Sequence, residues 1–211
     1  LEPYIPLTIF NNLTLISRRL TGDRCMVVFL NDVATSLYGL VNPLTEIRVL
    51  ASLACLDNAL YTLLESFNIQ EEYPKARKQL VGNGIVAVST RTMPLLVIEA
   101  EKNNLDHEIV GSPVKYVDEA FEFYIPQLEY LIVKLLSLRL YPYITYGITL
   151  LFSWVDVINM DLLTKALEIS GVSRKELARE IDSTLRHVEA FPVIKEENIR
   201  GKLKALLQSV N

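Results

Sequence analysis

The chain is poor in the residues that build most recognisable catalytic centres. It has two histidines and two cysteines among 211 residues. His107 and His187 lie far apart in charged segments, with no further ligand at metal-binding spacing, so a zinc centre is not expected and both read as surface histidines. Cys25 and Cys55 make no C-x-x-C pair. Each sits among apolar neighbours and reads as a buried thiol rather than a disulfide partner or a nucleophile. The eight glycines are scattered. None belongs to a G-x-x-x-x-G-K phosphate loop, a G-x-G-x-x-G dinucleotide turn or a G-x-S-x-G nucleophile elbow, so the common glycine-dependent chemistries have no footing.

Excess positive charge is missing too. Lys and Arg number 21 against 25 Asp and Glu, a net charge of −4, so no global attraction to nucleic acid or anionic lipid is implied. The one basic stretch, Lys195 with Arg200, Lys202 and Lys204, includes Glu196 and Glu197 at its start. That order suits a helix dipole, and the stripe of Leu203, Leu206 and Leu207 suits docking on the body or on another chain. The longest uncharged run, Leu140–Val155, contains Pro142 and Gly147 and falls short of the roughly 20 residues that span a bilayer. Leu1–Phe10 holds Glu2, Pro3 and Pro6 and lacks a basic start before an apolar run, so no signal peptide is expected. These features point to a cytoplasmic protein with no membrane segment.

What the chain has in quantity is apolar surface. Half of its residues are hydrophobic and its mean hydropathy is +0.25. That is high for a soluble protein and implies that a partner or a second copy covers part of the surface.

The pattern divides at Pro126. Before it, Leu7–Leu20 places Leu7, Phe10, Leu13, Ile16 and Leu20 on one helical face. Cys25–Leu30 and Glu46–Ala51 are short β-branched runs bounded by turn residues and read as buried strands. Between them, Asn31 or Asp32 is the expected N-cap of a short helix over Val33–Leu40, and Gly39 its expected stop. A helix through Leu56, Leu60, Leu63 and Leu64 and a charged segment over Glu71–Leu80 follow. Gly84–Ser89 and Pro94–Ala100 read as a hairpin, Asn103-Asn104 as a helix start and Val114–Val117 as a last strand, with the sheet ending there. From Pro126, taken as the first turn of a helix, the period is helical: Leu128–Leu136, Tyr143–Ile158, Leu162–Ile169, Arg174–Val188 and Glu196–Val210. The expected architecture is α/β (α+β), with a small mixed sheet and flanking helices over residues 1–125 and a helical region over residues 126–211 packed on it.

The stretch from Cys25 to Ala51 carries a resemblance. A strand, a two-residue turn, Ala34, Tyr38-Gly39 and a second strand opened by an acid resemble the nucleotidyltransferase superfamily, in particular its small prokaryotic and archaeal members. There the turn is Gly-Gly or Gly-Ser, followed by Ala, Tyr-Gly, Arg, Thr and Asp-x-Asp. Here Asn31-Asp32 stands at the turn, Asn42 at the Arg, Leu44 at the Thr, and Glu46 and Arg48 at the two acids. The later order, with LDHEI at Leu105–Ile109, a lysine at Lys134 and a tyrosine-rich joint over Arg139–Tyr146, extends the likeness to about residues 8–188.

The resemblance implies a nucleoside triphosphate and Mg²⁺ in an active member. Asn31, Asp32, Ser36, Arg48 and Lys134 are then the candidate nucleotide contacts, and Glu46 and Glu99 the candidate metal ligands and catalytic acids. The residues present alter that chemistry. Two acids one residue apart on a strand face the same way, but Glu46 and Arg48 are a carboxylate and a cation. Glycine lets phosphate approach the backbone, whereas Asp32 brings a side chain and a negative charge. The favoured reading of Asp32, Glu46 and Arg48 is a helix cap plus a salt-bridged strand end, over metal binding; a separate hypothesis has Arg48 substitute for metal charge, pairing with Glu46 or holding a phosphate. Three functions follow: a degenerate member that binds a protein partner or, weakly, a nucleotide; an active metal-dependent nucleotidyltransferase of the antitoxin kind acting on protein or RNA; or a purely structural subunit. A homo-oligomer or a protein partner is expected in each.

Overall fold

The computed structural model describes residues 7–22, 25–90, 94–118 and 121–186. The chain divides into two compact units, Leu1–Gln127 and Leu128–Asn211. The segment Glu196–Val210, with its basic helix, and His187 lie outside the described residues, as do Arg91, Thr92 and Met93 of the expected hairpin loop.

The first unit is a mixed α+β assembly. Helix α1 (Leu7–Gly22) leads to β1 (Val27–Leu30), α2 (Asn31–Leu37) and β2 (Glu46–Ala51). A 3-10 turn over Leu53–Cys55 opens α3 (Leu56–Ser66), and a second over Gln70–Glu72 opens α4 (Tyr73–Asn83). Then come β3 (Ile85–Val88), β4 (Leu95–Ala100), α5 (Asn104–Gly111), β5 (Val114–Asp118) and β6 (Phe121–Ile125). Strands β1 to β4 form one sheet in the order β1-β2-β4-β3. The β1–β2 and β3–β4 pairs are antiparallel, and the central β2–β4 pair is parallel. A parallel neighbour cannot be reached by a tight turn; α3, α4 and β3 occupy the chain between β2 and β4.

The two faces of the sheet differ because side chains alternate along a strand. Ile47, Val49 and Ala51 of β2 and Leu96, Ile98 and Ala100 of β4 share one face, and all six are buried. The other face carries Glu46, Arg48 and Leu50 beside Leu95, Val97 and Glu99. Polar residues in the middle of a sheet thus lie on one side only.

The sheet expectation needs one correction. Val114–Val117 does not end the strands: β5 pairs antiparallel with β6 in a separate two-stranded sheet. The stretch Phe121–Ile125 mixes aromatic and charged residues beside Pro126, which hid a strand whose Phe123 is fully buried and meets the Phe29 ring edge-on at 5.8 Å.

The cysteine reading is also corrected. Cys25 and Cys55 are disulfide-bonded, with Cα atoms 5.2 Å apart. One precedes β1 and the other ends the turn after β2, and antiparallel pairing of Val27 with Ala51 brings those two ends together. Local sequence around either cysteine holds no trace of that closure.

The second unit contains, among its described residues, α6 (Leu128–Ser137), α7 (Tyr143–Ser153), α8 (Met160–Ser170) and α9 (Arg174–Arg186). Pro126 lies before α6 rather than in its first turn. Helix α7 is shorter than the expected Tyr143–Ile158 and ends at Ser153; Asn159 then starts α8 by accepting hydrogen bonds from the Asp161 and Leu162 amides. At Gly147 α7 packs closely on α6: a Cβ there would lie 3.2 Å from the Ile132 carbonyl oxygen. Among the described residues, no helix is long and apolar enough to cross a membrane.

Candidate functional site

The turn between β1 and α2 is built from side chains that sequence alone assigned to other work. Asn31 has φ +44°, a left-handed conformation that asparagine tolerates better than most residues. It is the first residue of α2. Neither Asn31 nor Asp32 is the cap; Leu30 occupies that position, without a side-chain hydrogen bond. The expected cap is therefore corrected.

Asp32 turns away from its own helix to the start of β2. Its Oδ2 accepts hydrogen bonds from the Thr45 amide at 2.8 Å, the Thr45 hydroxyl at 2.7 Å and the Glu46 amide at 3.0 Å. Thirteen residues separate Asp32 from Thr45, so this is a tertiary clamp rather than local capping. Burial pushes the Asp32 carboxyl above its ordinary range, and the bonds from Thr45 and Glu46 offset part of that rise.

A second set of bonds closes the loop between α2 and β2. The Thr35 hydroxyl donates to the carbonyl of Asn31 at 2.8 Å, and the Ser36 hydroxyl donates to Asn42 Oδ1 at 3.1 Å. Ser36, a candidate nucleotide contact, is buried and bonded inward. Gly39, at φ +87°, lets the chain leave α2, and the Tyr38 hydroxyl donates to the Pro126 carbonyl at 2.8 Å. The Tyr-Gly pair of the motif is thus explained by structure alone. Thr35, Asn42 and Thr45 are members of this network that sequence reasoning missed. Their partners are set by the loop's path, and no spacing rule signals them.

The chemistry converges on Arg48. Its Nε lies 2.8 Å from Glu46 Oε1 and its Nη2 lies 3.1 Å from Glu46 Oε2, a two-pronged contact, while Nη1 is ion-paired with Glu99 on the neighbouring strand. Asn31 Nδ2 adds a bond of 2.7 Å to Glu46 Oε1. Because Nδ2 must face that carboxylate, Asn31 Oδ1 is turned away, and it has no hydrogen-bond partner though buried. The side chains of Glu46, Arg48 and Glu99 are 7%, 13% and 10% exposed. Desolvation works against the Arg48 charge, but the hydrogen bonds and charges of Glu46 and Glu99 outweigh it and hold the guanidinium more firmly protonated than usual.

The structure therefore brings together Asn31, Asp32, Glu46, Arg48 and Glu99, drawn from β1–α2, β2 and β4. Lys134 belongs to the second unit, where it is buried on α6. His107 is an exposed residue paired with Glu101 at 2.6 Å.

Whether these residues fit a divalent cation is decided by the oxygens. A Mg²⁺ site needs carboxylate oxygens turned to a common point. Both oxygens of Glu46 and one of Glu99 are taken up by a guanidinium, which brings one of the two positive charges a Mg²⁺ would bring. The donor set does not fit a metal ion as it stands, and among the described residues no group of three or more His, Cys, Asp or Glu side chains is arranged to hold one. No protein-family model matches the sequence, and no curated protein matches it.

Proposed function

We propose that this chain is a nucleotidyltransferase-like protein that has lost nucleotidyl transfer and acts by binding, with another protein as its main partner and a nucleotide as a weak ligand. The observation that carries the reading is the position of Arg48 between Glu46 and Glu99. At the place where the resemblance expects metal-binding acids, a covalently attached cation already engages both carboxylates and offsets one of their two charges. Asp32 supports the same reading, since a buried carboxyl stands where a phosphate would need bare backbone.

Titration calorimetry with ATP, GTP, CTP and UTP, each with and without Mg²⁺, tests it. The reading expects binding that is weak and independent of metal, that drops in Arg48→Ala and that survives in Arg48→Lys. Metal-dependent binding that disappears in Glu46→Ala would replace it with an active nucleotidyltransferase using Glu46 and Glu99. No heat with any nucleotide would leave protein binding alone.

A further inference from the structure

The two edges of the four-stranded sheet differ. Strand β1 is buried along its whole length, with β6 beside it through the contact of Phe29 with Phe123. Strand β3 is the other terminal strand, and among the described residues no strand lies beyond it. Sheets that must stay unpaired blunt such an edge with lysine, proline or a bulge. The sequence of β3 is Ile-Val-Ala-Val, and its register with β4 is unbroken. It has none of those devices, and its shortness is its one protection.

One bond fixes the phase of this backbone. The Ala100 amide donates to the Gly84 carbonyl at 2.9 Å, which makes Gly84 and Ala100 a hydrogen-bonded pair. Such pairs alternate along an antiparallel ladder, so the next are Val86 with Ile98 and Val88 with Leu96. Ile85, Ala87 and Ser89 therefore turn their N–H and C=O groups to the open edge. Ala87 and Ser89 are exposed, and the small alanine side chain leaves room for another backbone. A groove of about 230 Å³ lies between this strand and α4, with Glu72, Lys75 and Gln79 on its helical side. Glu72 Oε2 is 3.8 Å from Lys75 Nζ, so that flank shows an acid and a base together.

An edge of this kind takes an extended strand, and a second copy of the chain fits it on two counts. An antiparallel strand centred on Ala87 is its own partner: Ala87 meets Ala87 and Ile85 meets Ser89, which makes about six backbone hydrogen bonds. The two-fold axis of that pairing also lays the two copies of α4 side by side, where a flank bearing both an acid and a base complements itself. We propose that two copies of this chain pair antiparallel through β3, centred on Ala87, and join their four-stranded sheets into one of eight strands. The pairing closes at two copies and covers the one apolar edge left open. It uses no residue of the Arg48 cluster, so its failure and that of the nucleotide reading are separate results.

Sedimentation of the full chain over a concentration series tests it. The wild type should reach a limiting mass of twice 23.9 kDa. Ala87→Pro removes an N–H that faces the edge, a position where a strand tolerates proline, and should raise the dimer dissociation constant by about tenfold or more. Ala87→Lys and Ala87→Glu place like charges opposite one another and should each weaken the dimer by about fivefold, while an equimolar mixture of the two should regain the wild-type affinity by pairing lysine with glutamate. Circular dichroism checks that each variant is folded, and the lysine and glutamate variants decide the matter if the proline variant is not. A full chain that stays monomeric would leave the edge to a different partner and overturn the proposal. So would growth beyond two copies, or a dimer that the lysine and glutamate variants leave unchanged both alone and mixed.

Discussion

Arg48 and Glu99 are 51 residues apart in sequence and ion-paired across the parallel β2–β4 pair. They are not directly opposite one another: Arg48 faces Val97, and Glu99 faces Leu50. The long guanidinium side chain spans that diagonal while still holding Glu46 on its own strand. One cation thereby bridges acids from two strands that no turn connects.

Arg48→Met keeps much of the side-chain volume and removes the charge, leaving two buried carboxylates facing each other. Breaking such a network from one side costs about 3–5 kcal/mol, and urea denaturation should read a loss of that order. The triple variant Glu46→Gln/Arg48→Met/Glu99→Gln should recover most of it, because removing all the charges removes their desolvation cost as well.

Asp32 gives a pH dependence of opposite sign to that of a salt-bridged carboxylate. Its folded-state pKa is raised above the ordinary 3.8, so the folded protein holds a proton that the unfolded chain has released. Its contribution is fully present below that value and is lost as pH rises through the raised folded-state pKa. The stability of the wild type minus that of Asp32→Asn should therefore fall with rising pH when denaturation is followed from about pH 3 to pH 7. A difference that rises with pH would contradict the burial argument.

The left-handed Asn31 orders its own substitutions. Asn31→Gly and Asn31→Ala both lose the bond to Glu46, but only alanine carries a Cβ into that conformation. Thermal denaturation should place Asn31→Ala about 1 kcal/mol below Asn31→Gly.

Reducing the Cys25–Cys55 disulfide releases a loop closed over 30 residues. A loop of that length corresponds to about 3–4 kcal/mol in the chain-entropy description. Guanidinium denaturation with and without reductant should show that loss, with a matching loss in Cys25→Ala/Cys55→Ala.

At Gly147 the neighbour is helix backbone rather than the tip of a flexible side chain. Gly147→Val should destabilise the protein by about 1–3 kcal/mol through overpacking, measured by urea denaturation. An unchanged midpoint would mean that α6 and α7 can separate freely.

The regular elements were readable because their signals are local. Glu46–Ala51 is a short apolar-rich run, and the α1 and α6 stripes repeat at helical spacing. Glu46 and Arg48 share a face by strand alternation, so two of the three members of the ion cluster were legible as well. Glu99 was only a candidate until pairing brought β4 beside β2. The roles of Asp32 and of the two cysteines were not legible, because each depends on a partner delivered by the path of the chain. Asp32 followed by an apolar residue looks the same whether it caps its own helix or clamps the strand thirteen residues on. Phe121–Ile125 shows the same limit: aromatic and charged residues beside a proline become a strand only once β5 lies next to them.

The central β2–β4 pairing also sets an order of assembly. The β3–β4 hairpin joins residues close in sequence and can form early, whereas β2 must close a loop of about fifty residues to find its parallel neighbour, a contact that forms slowly in a folding chain. Until it does, Arg48 is paired with Glu46 alone and the bridge to β4 is missing. Completion of the three-membered ion cluster is therefore a late event, and the integrity of the cluster reports whether the first unit has finished folding.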